Sequence, residues 1–522
     1  MAVALIAGLS LPLAQQLTRV FKEEPLYGYT PPSPALPTDL VAAWFDRRFQ
    51  QWVETTVATK TGFRAALVRT YNETAFRLFH GLPHLDVVAV EPGGLIYRHH
   101  VMSLNDSVLL GSEKRKEYER RARRALIVQN VLARLGSHLL MVIAPSKGGA
   151  YPDVVPRRFL ARDAAELLGD GVQYGAVLER MGVHVIDFGR EFRTLRPRLP
   201  YRLDAPYGVH WNFYAGCLAA RRIVERLHDE TGDILTGIDC EPALLETAHS
   251  TDIDGLAMLN LWQPDRYLVP LPYPTVRAIE RPGAVRPRML FIGDSFSDQV
   301  RQPLSLARVF SEVAFSSYFM TLRRDGPGET LGRTPEQPID RSAFNLGRDV
   351  KPFRFVIVES VDYNISYQDY GFFDEVLKRA LIPANPGLVV DCRKREQAAP
   401  VLISGWADPG EGGAQVAAWP AELAFQRPAA PGSRRLVVRA TMPDGPVDLT
   451  VRVNGRALPV TLTPVAVKTA SIGPVVAGEG GVELAVELPA ELLADDTITT
   501  VTLAPETPAG RGAVLLMRLS IE

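Results

Sequence analysis

Cysteine is nearly missing from this sequence: Cys217, Cys240 and Cys392 are the three in 522 residues. They show no metal-ligand spacing and cannot all pair within one chain, so neither a zinc module nor a disulfide framework is implied. An excess of one charge is missing too. Lysine plus arginine (58) and aspartate plus glutamate (59) leave a net charge of -1, which gives no electrostatic footprint for nucleic acid. Long apolar runs are absent after the opening "MAVALIAGLSLPLA" of residues 1–14. That opening is shorter than the roughly 20 apolar residues a spanning helix needs and suits a signal-peptide h-region, although the usual basic n-region is lacking. Residues 1–24 are therefore read as a signal peptide or signal anchor, which predicts export.

What the chain does contain is an ordinary globular balance, 46% hydrophobic and 22% charged, long enough for two or three domains. Residues 25–84 read as a proline-rich linker, "PLYGYTPPSPALPT", followed by helical periodicity over 39–79. "LDVVAVEPGGLIYRHH" (85–100) reads as strand, Pro-Gly-Gly turn and strand. A helix is expected over 112–136, its mixed-charge start being a solvated face. Strands at 138–145, 183–189, 288–293 and 353–361 then alternate with helices at 163–182, 212–232 and 372–380. The alternation predicts an α/β fold for residues 85–396, a mostly parallel sheet flanked by helices. Residues 397–522 change character to short strand-like runs with turn signals, including Asn454-Gly455, and predict a β-sandwich accessory domain.

"FIGDSFSDQV" (291–300) raises the functional question. An apolar strand runs into Gly293, Asp294 and Ser295, which a helix cap alone would explain. In such sheets, however, ligands sit at the carboxyl ends of strands, and Ser295 is placed there, as are Lys147 and Glu359. A serine at that edge needs a base before it becomes a nucleophile. Of nine histidines, His210 stands out: "DAPYGVHWNFYAG" (204–216) sets it in a loop before a helix, with Trp211 and Asn212 following.

Four stretches in order, "VVAVEPGGLIYRHH", "VIAPSKGGAYPD", "YGVHWNFYAG" and "FIGDSFSD", resemble the AlgJ/AlgX-type periplasmic alginate O-acetyltransferases, whose catalytic domain is SGNH-hydrolase-like. The resemblance spans about residues 40 to 395 of the sequence. It implies Ser295 as nucleophile and His210 as base, in that family's reversed order, histidine before serine. It implies an oxyanion contact from the Ser295 N–H, with Asp294 and Gly293 shaping the turn. The family has an aspartate two residues before the histidine; here that residue is Gly208. Three outcomes follow: a substitute carboxylate (Asp204 or Glu359), a Ser-His dyad, or an inactive enzyme.

Lys147, Trp211, Arg301 and Tyr318 are candidate substrate contacts, Trp262 a candidate sugar-stacking residue, and no cofactor or metal is expected. The implied function is periplasmic polysaccharide O-acetylation through an acetyl-serine. A membrane-bound O-acyltransferase is the expected acetyl donor and other exopolysaccharide secretion proteins are expected partners. An acetyl-esterase and a non-catalytic polysaccharide-binding or assembly subunit are the alternatives. The sandwich is read as carbohydrate-contacting or as a spacer, its aromatics being few beyond Trp406, Trp419 and Phe425.

Overall fold

Alternating side chains of one short strand set the layout. In His138–Ala144 (β1), Leu139, Met141 and Ile143 enter one core, and Leu140, Val142 and Ala144 enter another, as the two-residue period of a strand requires. A strand buried on both faces needs helices on both. The computed structural model supplies them. It describes residues 2–28, 35–79, 81–82, 87–90, 94–109, 111–245, 247–328, 335–410, 412–442, 449–466, 480–494, 498–506 and 514–522.

After β1, the central sheet adds Val185–Asp187 (β2), Arg288–Gly293 (β3), Glu312–Ser317 (β4), Thr321–Asp325 (β5), Gln337–Pro338 (β6) and Phe355–Val361 (β7). Their order is β6-β5-β4-β3-β7-β1-β2. The five strands from β4 to β2 are parallel, and β5 and β6 close one edge as antiparallel strands. β7 lies between β3 and β1, with Phe355 opposite both Met289 and His138. Chain order reverses there, which is where α/β sheets open a ligand crevice.

The helices that cover its two faces are Gly111–Arg134 (α1), Gly169–Arg180 (α2), Phe188–Leu195 (α3), Phe213–Thr231 (α4), Ser297–Leu306 (α5) and Phe372–Ala380 (α6). α3, α4 and α5 bury Phe188, Ile223 and Val300 against one face. α1, α2 and α6 bury Val128, Tyr174 and Val376 against the other. The expected fold class is the one observed, with an antiparallel edge added. α4 also follows its sequence signals: the Asn212 side chain accepts the Ala215 N–H, and Gly232 ends the helix at φ 74°.

Other expectations shift. The helical stretch over 39–79 is three helices, Leu40–Phe45, Arg48–Lys60 and Arg64–Phe79, interrupted where Arg47 (φ 68°) and Phe63 (φ 59°) turn left-handed. β2 stops at Asp187, because that side chain caps α3 by accepting the Arg190 N–H. Two of the three cysteines do pair: a Cys217–Cys240 disulfide ties α4 to an antiparallel ribbon of Gly237–Leu245 and Leu271–Ile279. Cys392 is free and buried. The opening segment forms a 17-residue helix, Ala2–Thr18, and among the described residues no helix is long and apolar enough to cross a membrane. The middle of the proline-rich linker (29–34) and the expected turn at 91–93 lie outside the described residues.

The C-terminal domain is a sandwich of antiparallel sheets sharing one core, Leu423 and Phe425 from one sheet meeting Leu436 and Val438 from the other. Its first strand, Val389–Asp391, pairs with Leu515–Ile521 just ahead of residue 397. Asn454 (φ 49°) and Gly455 (φ 84°) form the expected hairpin turn between Val453 and Arg456.

Candidate active site

Strand β3 delivers a serine outward from an otherwise closed segment. Across residues 289–297 every side chain is buried except that of Ser295, which is exposed. The turn is built by Asp294, whose Oδ1 accepts the Phe296 N–H at 2.9 Å. Its Oδ2 accepts the Val361 N–H at 3.0 Å and the Tyr370 hydroxyl at 2.8 Å. Beneath it, Glu359 Oε2 accepts from the Ser297 hydroxyl at 2.6 Å and the Asp294 N–H at 3.2 Å. Burial, then the Asp294 charge, push the Glu359 carboxyl well above its ordinary range. Only glycine fits at 293. A Cβ there would strike the Ser297 hydroxyl and come within 2.6 Å of Glu359 Oε2.

His210 reaches that serine from a separately braced loop. Asp204 and Trp211 form an antiparallel bridge that closes the loop, and the Trp211 indole N–H donates to the Phe296 carbonyl at 2.9 Å. That bond ties the histidine loop to the serine turn. His210 Nε2 lies 2.8 Å from Ser295 Oγ. The ring is 7% exposed and rests on Phe296, centroids 4.6 Å apart. Lys147 holds the loop from below, its ammonium donating to the carbonyls of Leu95 (2.6 Å), Pro206 (2.6 Å) and Gly208 (3.1 Å). Burial lowers the Lys147 ammonium to about 8.

The carboxylate facing the far ring nitrogen is Asp254, with Oδ2 at 2.8 Å from His210 Nδ1. The Nδ1 edge is not aligned on that oxygen, so the carboxylate approaches the ring off the linear hydrogen-bond direction. Asp254 Oδ1 accepts the N–H groups of Val209 (2.8 Å) and Gly255 (2.7 Å). These bonds fix the carboxylate to the histidine loop itself. Asp254 opens the short helix Asp254–Met258, which docks backbone to backbone on residues 207–208. The Leu256 N–H donates to the Tyr207 carbonyl at 2.8 Å.

Gly208 makes this docking feasible. A Cβ there would meet Ala205 Cβ at 2.8 Å, the Thr251 carbonyl at 2.8 Å and the Asp252 carbonyl at 2.9 Å. The position where the resembled family has aspartate is thus filled by the segment that brings in Asp254. Among the outcomes expected from sequence, the geometry is that of a substitute carboxylate, but not from either residue named. Asp204 is engaged by Arg202 at 2.8 and 2.9 Å, and Glu359 lies under the serine turn. Asp254 was missed because no spacing marks it among 59 acidic residues; the Asp-Gly pair after a polar loop was its only local signal.

Three candidate contacts belong to the interior instead. Lys147 is 4% exposed and spends its donors on backbone carbonyls. Trp211, 3% exposed, packs on Phe188 and Phe192. Arg301, 1% exposed, pairs with Asp325 at 3.1 Å and lies 3.6 Å over the Phe315 ring. A charged or aromatic side chain near a motif can be a packing element, and here all three are. Trp262 is exposed but sits on the N-terminal helices, bonded to Thr70. Tyr318 does stand at the site. It is left-handed (φ 49°) and its N–H donates to the Gly293 carbonyl at 2.9 Å; burial raises its phenol, and the neighbouring Ser295 hydroxyl and N–H act in the opposite sense.

No curated protein matches this chain. Among solved structures, the O-acetyltransferase domain of Pseudomonas putida AlgJ aligns at 16% identity over 56% of this chain and 98% of that one, TM-score 0.35. Pseudomonas aeruginosa AlgX aligns at 13% identity over 88% and 98%, TM-score 0.36. Bacillus cereus PatB1 aligns at 13% over 49% and 92%, TM-score 0.30. The family model described as the SGNH hydrolase-like domain of the acetyltransferase AlgX matches residues 102–273, the stretch of the chain that holds His210 and Asp254, and over that stretch this protein is similar to that family.

Proposed function

We propose that this protein is a polysaccharide O-acetyltransferase that works through an acetyl-Ser295 intermediate. The observation that carries the reading is the grouping of hydroxyl, imidazole and carboxylate at the sheet's carboxyl edge, His210 lying 2.8 Å from Ser295 Oγ and 2.8 Å from Asp254 Oδ2. In the first half-reaction the Ser295 hydroxyl gives its proton to His210 Nε2 as Oγ attacks the acetyl carbonyl of a donor. The Ser295 N–H is the donor the developing oxyanion would use, with the Tyr318 phenol beside it. The tetrahedral species then expels the donor's oxygen, which takes the proton from Nε2. In the second half a sugar hydroxyl gives its proton to Nε2, attacks the acetyl carbon and releases Ser295, which regains a proton from the imidazolium. Asp254 keeps the other ring proton on Nδ1 and offsets the imidazolium charge.

A cavity of about 720 Å³ adjoins the site through Tyr318, its charged lining being Arg120, Arg121, Arg124, Arg341 and, from the sandwich, Arg427, against Asp369 and Asp374. Its cationic lining suits an acidic polymer as acceptor and gives the sandwich a share in holding it. Phe425 is buried and Trp406 and Trp419 pack on the sandwich core, so that share does not come from an aromatic platform. The disulfide supports an oxidising, periplasmic address, where a membrane-bound O-acyltransferase would supply acetyl groups.

The test is incubation with a chromogenic acetyl ester and an acidic oligosaccharide. Ser295-dependent acetylation of the sugar is expected. Free acetate without acetylated sugar would make the protein an esterase, and no Ser295-dependent turnover would make it a binding subunit.

A further inference from the structure

The opposite end of the sheet carries a second cluster that acetyl transfer does not use. His138 is the first residue of β1, His184 immediately precedes β2, and Glu230 lies in the last turn of α4. His138 Nε2 is 2.8 Å from Glu230 Oε2, and His184 Nδ1 is 3.0 Å from Oε1. The two rings are 4.5 Å apart, centroid to centroid. All three ligand atoms lie within 4.8 Å of one another. We propose that His138, His184 and Glu230 form a binding site for a divalent transition-metal ion of the zinc class, which staples β1, β2 and α4 at the base of the domain.

Two imidazole nitrogens and one carboxylate oxygen are a borderline donor set that suits Zn²⁺, with bond lengths of about 2.0–2.2 Å and a fourth position left to water. Tetrahedral bonds of that length place donors roughly 3.3 Å apart; the two histidine contacts with Glu230, one to each carboxylate oxygen, lie a few tenths of an ångström inside that spacing, and the remaining span of up to 4.8 Å closes by rotation of the more exposed His184 ring. Its backbone is already held. The His138 N–H donates to the Arg354 carbonyl at 2.8 Å. The His184 N–H donates to Gln129 Oε1 at 2.8 Å, and its carbonyl accepts from Met141 at 2.9 Å.

The side chains of His138 and Glu230 are 13% and 10% exposed, and that of His184 is 34% exposed. An ion therefore has a solvent path and an open position on the His184 side. Arg226 also contacts Glu230 Oε1, at 2.5 Å. Its cation opposes metal binding electrostatically while orienting the carboxylate. Ligands from three separate elements leave no spacing motif, which is why the sequence reading expected no metal.

The experiment uses the full chain, stripped with EDTA, dialysed, and titrated with Zn²⁺ by calorimetry and with Co²⁺ by visible absorption. One equivalent should bind, and Zn²⁺ should raise the thermal midpoint. His184→Gln and Glu230→Gln should each weaken binding about tenfold or more and abolish the midpoint shift, with esterase activity unchanged. Should a variant at buried Glu230 fail to fold, the more exposed His184→Gln carries the test alone. A parent that binds no Zn²⁺, or a folded His184→Gln that binds as tightly as the parent, overturns the proposal.

Discussion

Asp254→Asn changes one atom of the triad while leaving its shape. Asn Oδ1 can keep both backbone bonds, from Val209 at 2.8 Å and Gly255 at 2.7 Å, so the side chain stays in place. The new amide N–H₂ then faces His210 Nδ1 across the former 2.8 Å contact. Two donors cannot share that contact, so Nδ1 must become the acceptor and the ring proton moves to Nε2, the atom that has to receive the serine proton. Losing the right tautomer in a serine protease lowers turnover about 10⁴-fold. Losing a unit charge about 4 Å from the imidazolium, at an effective permittivity near 20, removes about 4 kcal/mol, or about 10³-fold. The two routes bracket the expected loss in kcat at about 10³ to 10⁴. It should be measured with a chromogenic acetyl ester, with KM and the urea midpoint near those of the parent. Asp204→Asn, made in parallel, disturbs the Arg202 pair and should lower stability while leaving kcat of the folded protein nearly intact. The reasoning is refuted if Asp254→Asn turns over within about tenfold of the parent, or if Asp204→Asn loses as much as it does.

Other perturbations test the surrounding structure. Gly208→Asp, which restores the resembled family's residue, should lower activity rather than raise it, because its Cβ would displace the Thr251–Asp252 carbonyls at 2.8 and 2.9 Å that lead to Asp254; a rate above the parent's would contradict this. Lys147→Met strands the carbonyls of Leu95, Pro206 and Gly208 and should cost about 2–5 kcal/mol of stability in urea melts, with a fall in kcat as the His210 loop loosens. The Cys217→Ser/Cys240→Ser double variant opens a crosslink between residues 23 apart and should lose about 3 kcal/mol, read from chemical denaturation. Asp252 and Asp362, each raised by burial from 3.8 to about 7, hold their protons more tightly folded than unfolded. Their contribution is present in full below about pH 4 and is lost as pH rises through 7. Stability should therefore fall across that window by on the order of 4 kcal/mol per group, and Asp252→Asn should flatten the slope.

Some of this was legible in the chain because the signals were local. The apolar run into Gly-Asp-Ser, the Asn212 and Gly232 ends of α4 and the Asn454-Gly455 turn each depend on a few adjacent residues, and each stands where it was expected. Asp254 was not legible, since its place at His210 depends on a segment docking through the space that Gly208 leaves empty. Lys147, Trp211 and Arg301 misled for the reverse reason. Their chemistry resembles that of ligand contacts, but their burial is decided by neighbours distant in sequence: Leu95, Phe188 and Asp325. The disulfide followed the same rule. Three cysteines without a pattern concealed one pair, brought together by the turn from α4 into the ribbon.

The most direct measurement is the mass of the protein quenched in acid during turnover of an acetyl ester, followed by peptide mapping. Acetyl transfer through the exposed hydroxyl of Ser295 requires one acetyl group on the peptide carrying that residue. It should accumulate when sugar acceptor is withheld, disappear when acceptor is added, and be absent from Ser295→Ala. An active parent that carries no acetyl group on that peptide, or a Ser295→Ala protein that still acetylates the sugar, would contradict the account.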